Sequence, residues 1–150
     1  MRRCADAEQT LAGEDAAFVS GESRSLERRE DGRLVVSVTH TRLVFTNVEA
    51  SATAASGLEA ATRSEDLAGC LALSAAGLGT DVRVGPVSPA APPPFGGGGV
   101  AFVFMAAGTD AGRMTEHIYW WGTGKELSTL VIATWGREDD VPAILAEATR

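Results

Sequence analysis

Apolar–polar alternation on either side of Asp31-Gly32, a second such pattern around Gly122-Thr123-Gly124-Lys125, and alanine-rich helical sequence between them predict an α+β fold. The expected architecture is an antiparallel sheet of about five to six strands with helices packed mainly on one face. At 150 residues the chain suits a single domain, read here as 1–150.

Residues 4–12 read as a short helix stopped by Gly13, followed by a short strand at Ala17-Phe18-Val19-Ser20. Residues 23–30 and 33–46 read as two strands joined at Asp31-Gly32, a pair suited to a tight hairpin turn. In the second of these, Leu34, Val36 and Val38 keep one phase, whereas Leu43 and Phe45 keep the other. A bulge within 39–42 is expected to bring both sets to one core, because one extra residue flips the faces. Residues 48–62 place Val48, Ala52, Ala55 and Leu58 at helical spacing. Ser64, followed by Glu65 and Asp66, opens a second helix that carries Leu67, Cys70, Leu71 and Leu73 and stops near Gly77-Leu78-Gly79.

A short strand is read over Thr80 to Val84, and then the Pro/Gly-rich segment 86–99 reads as an irregular loop. Val100 to Met105 has the apolar run of a buried strand. Met114 to Trp121 and Glu126 to Trp135 form the second hairpin. In its second arm Leu127, Val131, Ala133 and Trp135 share one face, and Leu130 and Ile132 the other. A strand apolar on both faces is expected at the centre of a sheet covered on two sides. Asp139 or Asp140 caps a closing helix through Thr149, with Pro142 in the first turn and Val141, Ile144, Leu145 and Ala148 as its buried stripe.

The net charge of −7 argues against nucleic acid and against an anionic membrane surface. The basic cluster from Arg24 to Arg33 is interrupted by Glu27, Glu30 and Asp31. No run of apolar residues is long enough to span a bilayer. Met1-Arg2-Arg3 makes a basic start, but Asp6, Glu8, Glu14 and Asp15 stand where the apolar core of a signal peptide would be. The chain is therefore read either as cytoplasmic or as beginning after an export segment. Cys4 and Cys70 are the two cysteines. They are either unconnected buried residues or a single disulfide, which would stabilise the fold by about 4 kcal/mol in the chain-entropy model.

No catalytic motif is found. Gly122-Thr123-Gly124-Lys125-Glu126 lacks the first glycine and the hydroxyl residue of a phosphate loop, and it precedes a strand. Gly96–Gly99 has no spaced dinucleotide fingerprint. His40, His117 and the cysteines are not at ligand spacing, so no metal and no cofactor is predicted. One enrichment remains: all three tryptophans and the single tyrosine lie on the second hairpin. Alternation puts Trp120 with Ile118 on one face and His117, Tyr119 and Trp121 on the other. That second group is either core packing or an aromatic ligand surface rimmed by Arg113, Glu116, Lys125 and Glu126. The ligand-binding candidates are thus His117, Tyr119, Trp121, Arg113 and Lys125.

Cys4-Ala5-Asp6-Ala7-Glu8, the stretch Leu43–Cys70 and the hairpin Ile118–Trp135 together resemble the extracellular sensor domains of actinobacterial lipoproteins and receptor kinases, the PknH C-terminal-like kind. That family commonly has two disulfides, whereas this chain has one possible cysteine pair. The resemblance implies a ligand-binding cleft over an antiparallel sheet, with no catalytic residues to carry over. The leading reading is a non-catalytic ligand-binding or sensing module outside the cytoplasm, taking a small ligand or a protein partner. The alternatives are a cytoplasmic protein–protein interaction or immunity-type protein, and an enzyme of unrecognised type.

Overall fold

Asp31 (φ 51) and Gly32 (φ 79) both sit in the left-handed region, as a type I′ turn requires, and close the hairpin of β1 (Phe18–Glu30) and β2 (Arg33–Phe45). β1 runs unbroken through both short strands expected at its ends. The computed structural model describes residues 18–63, 82–84, 88–90, 96–106 and 113–148. The expected helices at 4–12 and 64–77, and both cysteines, lie outside the described residues. After β2 come α1 (Val48–Arg63), β3 (Val82–Val84), β4 (Ser88–Pro89), β5 (Gly98–Ala106), β6 (Arg113–Thr123), β7 (Glu126–Trp135), a 3-10 turn (Glu138–Asp140) and α2 (Val141–Ala148).

All described strands join one antiparallel sheet in the order β1-β2-β7-β6-β5-β3, with the two-residue β4 added against β5. Five strands are long, and the other two are short additions at the β5 side. β7 occupies the middle, between β2 and β6, as its two-faced apolar pattern predicts. A two-residue turn at Gly124-Lys125 joins β6 to β7, with Gly124 at φ 61 in the first central position, where a II′ turn needs glycine.

The two described helices take opposite faces, so the expected packing mainly on one face is not seen among the described residues. α1 covers Phe45, Val100, Trp120 and Leu127 through Leu58 and Ala54, Ala55. α2 covers Tyr119, Leu130 and Ile132 through Val141 and Leu145, with Ile144 and Ala148 packed beside them. The stripe of α2 is the one its spacing predicts. That of α1 is rotated from Val48–Ala52 toward Ser51, Ala54, Ala55 and Leu58, and Val48 and Ala52 are exposed. Two hydrogen bonds set this rotation. Asn47 caps the helix, its Oδ1 accepting from the Ala50 amide at 2.8 Å. The Ser51 hydroxyl donates to the Gly124 carbonyl at 2.7 Å, which ties the first turn of α1 to the β6–β7 turn.

The opposed helices also explain the phase change in β2. No bulge occurs at 39–42: the register with β7 is unbroken from Val36–Thr134 to Val44–Glu126, and the shifts against β1 fall at Phe18/Ser20 and Arg28/Arg29. Val38 therefore joins the α2 core while Leu43 and Phe45 join the α1 core. One straight strand serves two cores, one at each end.

The glycines of the 86–99 segment belong partly to β5. Gly98 lies opposite Trp120 and Gly99 opposite Tyr119. A Cβ at Gly98 would stand 2.3 Å from the Trp120 ring, and one at Gly99 2.8 Å from the Tyr119 ring, so the two rings lie flat over the strand on opposite faces. The loop folds back here, with the Ala90 amide donating to the Gly99 carbonyl at 3.1 Å. At Gly97 (φ 100) a Cβ would fall 1.9 Å from the Trp120 carbonyl oxygen, whereas at Gly96 (φ 87) it would meet nothing within 4 Å. Gly97→Ala is accordingly expected to cost about 3 kcal/mol or more, and Gly96→Ala only about 1 kcal/mol, from its backbone conformation. Urea denaturation of the two variants checks this, and equal losses would contradict the close approach to Trp120.

Candidate functional site

On the α2 face, register builds the surface in rows running across β1, β2, β7 and β6. Arg28, Val36, Thr134 and Thr115 form the first row, followed by Leu26, Val38, Ile132 and His117. Arg24, His40, Leu130 and Tyr119 form the third, and Glu22, Arg42, Ser128 and Trp121 the fourth. α2 lies over the middle of this grid, on Leu130, Ile132 and Tyr119.

The sequence group His117, Tyr119 and Trp121 does share this face, but its members have different surroundings. Tyr119 is buried in the α2 core, and burial raises its phenol above the ordinary value. Its ring lies nearly parallel to that of His117, 6.2 Å between centroids. Trp121 is half-buried at the edge of the covered area and stacks on His40, 5.6 Å away with 21° between planes. His40 stands one strand beyond β7, so only the β2–β7 register reveals the pair. Trp120 points to the opposite face and into the α1 core.

The expected rim does not assemble. Arg113 and Lys125 are exposed at opposite ends of β6, roughly 33 Å apart at strand rise. Glu116 falls on the α1 face, where burial raises its carboxyl above the usual range. The cations near the stack come instead from β1 and β2. The Arg42 guanidinium grips Glu126 through two hydrogen bonds of 2.8 and 2.6 Å and reaches Glu22 at 3.8 Å. The bond to Glu126 holds the guanidinium above its ordinary value and Glu126 below the usual carboxylate range. Arg24, opposite His40, makes no ion pair among the described residues.

At the far end, polar groups are enclosed where the 3-10 turn crosses the sheet. Thr115 donates to Glu138 at 3.0 Å, and Arg28 and Glu30 of β1 bind Asp140 and Arg137, which pins this turn to the sheet edge. Both His117 ring nitrogens and the Thr134 hydroxyl, and His40 Nε2 in the stack, are shielded from solvent with no hydrogen-bond partner among the described residues. Desolvation lowers the His117 value, and the negative charge of Glu138 works against this. No group of three or more His, Cys, Asp or Glu residues is placed to hold a metal among the described residues.

Among the described residues these features define a mixed α+β fold with a central antiparallel sheet, a helix on each face and an aromatic strip beside one helix. No family model matches the chain. No curated protein matches it either. Among solved structures its fold is similar to the extracellular domain of PknH from Mycobacterium tuberculosis, with a TM-score of 0.54 and 6% sequence identity. The likeness covers 88% of this chain but only 63% of that one, and at this identity it concerns the fold alone. The resemblance read from the sequence thus holds at the level of fold. No helix among the described residues is long and apolar enough to cross a membrane, which leaves β-barrel insertion unaddressed.

Because His117 binds its proton less readily in the folded chain than at the ordinary value of 6.5, unfolding takes up a proton below that pH. Stability from this residue is complete above about 6.5 and is lost as the pH falls through the lower folded value. Urea midpoints measured from pH 7.5 down to pH 5.5 are expected to decline, and His117→Phe to flatten the decline. An unchanged slope in the variant would place the effect elsewhere.

Proposed function

We propose that this chain is a non-catalytic ligand-binding or sensing module that works outside the cytoplasm, with its binding surface at the open end of the α2 face. The observation that carries the reading is the His40–Trp121 stack, left half-buried where cover by α2 ends. Isolated surface aromatics are common, but a stacked pair is already ordered and gives up little further entropy when it binds. Its surroundings suit a small cyclic ligand with an acid group. The ring of such a ligand would lie against Trp121 and His40, and its acid would meet Arg24 in the next strand. Tyr119 and His117 form the packed wall behind. Arg113 stands at the end of β6 away from Trp121, roughly 26 Å off at strand rise, and takes no part.

Likeness in fold to an extracellular domain supports the extracytoplasmic setting. A panel of small aromatic and cyclic carboxylates, screened by heteronuclear NMR, tests the reading. Binding is expected to move the Trp121 indole signal and the amides of β2 near His40, and Trp121→Ala to weaken it at least tenfold. Shifts confined to the β5 side of the sheet, or binding unchanged by Trp121→Ala, would refute this site.

A further inference from the structure

β1 ends the sheet with nothing paired to its outer edge among the described residues, and all of its residues but Glu30 are exposed. Thirteen residues is long for an exposed edge, because such an edge presents a row of free amides and carbonyls that another strand can pair with. Leu26 stands on it with 75% of its surface in water. We propose that this edge pairs with β1 of a second copy of the chain, antiparallel about a two-fold axis through Ser23.

Geometry and charge select that axis. A two-fold perpendicular to the sheet keeps equivalent faces together, so the axis passes through a residue and even-numbered positions meet even-numbered positions. An axis through Glu22, Arg24, Glu27 or Arg28 would set a charge against its own copy. One through Leu26 would set Arg24 against Arg28 of the second copy. Like charges directly opposite one another oppose pairing. Ser20 and Gly21 stand so close to the shift at Phe18/Ser20 that an axis there pairs at most about three residues of the regular stretch, which runs to the shift at Arg28/Arg29, so Ser23 and Ser25 remain.

An axis at Ser25 would depend on Arg28, already engaged by Asp140 and Glu30. An axis at Ser23 pairs Glu22 with Arg24 of the second copy, twice by symmetry, and Arg24 makes no other described ion pair. It also sets Leu26 beside Ser20 and Gly21 beside Ser25, all within the regular stretch of β1. Mixed charge along the edge thus discourages most registers and admits this one, a narrower device than the single-sign charge that blunts many edges.

Sedimentation velocity over a concentration series up to about 1 mM tests the proposal, with the melting curve of each variant confirming its fold. The unmodified chain is expected to form a reversible dimer. Glu22→Arg and Arg24→Glu each turn two attractive contacts repulsive and are expected to raise the dissociation constant about tenfold. The double reversal restores opposite charges across the seam and is expected to recover the dimer. Ser23→Lys places a charge against itself at the axis and is expected to abolish pairing. A monomer at every concentration, or a dimer indifferent to Ser23→Lys, would overturn the proposal. Failure of the double reversal to recover the dimer would overturn the Ser23 axis.

Discussion

Burial of β7 on both of its faces is the constraint on which the rest of this structure depends. Leu130, Ile132 and Thr134 are almost wholly withdrawn from water on one face, and Leu127 is buried on the other. Each large apolar side chain contributes roughly 1.5–3 kcal/mol by leaving water, and β7 places Leu127, Leu130 and Ile132 in the core. A strand of that kind needs a neighbour on each side to satisfy its backbone and a layer on each face to cover its side chains. β2 and β6 supply the first, and α1 and α2 the second.

The helices are short relative to the sheet, so each covers only part of its face. β2 then changes the phase of its apolar residues midway without any bulge, because Val38 answers to α2 and Phe45 to α1. Trp120 and Tyr119, adjacent in sequence, are driven into opposite cores, and the glycines of β5 make room for both rings. What α2 leaves only half-buried is the His40–Trp121 stack. The polar contacts of the 3-10 turn with β1 and Thr115 fix where that cover stops.

Much of this was legible in the chain. Asp31-Gly32 announced its hairpin because both positions need left-handed backbone, and the two-sided apolarity of Leu127 to Trp135 announced the central strand. The alternation of His117, Tyr119 and Trp121 against Trp120 followed from the pleat alone. Misreadings arose where distant segments decide. The phase change in β2 looked like a bulge because one core was assumed, and periodicity does not say which face a later helix will cover. Four glycines in a row looked like loop because their partners, two rings one strand away, are not local in sequence. The pairing of His40 with Trp121 escaped notice for the same reason: the register that sets them together joins strands far apart in the chain.

The proposed function and the proposed edge pairing meet at Arg24, which serves the ligand's acid in one and Glu22 of a second copy in the other, so Trp121→Ala and Ser23→Lys, each outside the other surface, test them separately. Both require that the faces of the hairpin are assigned as described. The most direct check is fluorine NMR of protein labelled with 5-fluorotryptophan, its three signals assigned by replacing one tryptophan at a time with phenylalanine. Comparing H2O with D2O, the Trp121 signal is predicted to show a clear solvent isotope shift and the Trp120 signal almost none, since Trp120 is 5% exposed. A Trp120 signal as solvent-sensitive as that of Trp121 would contradict the two-core account, and with it the site built on it.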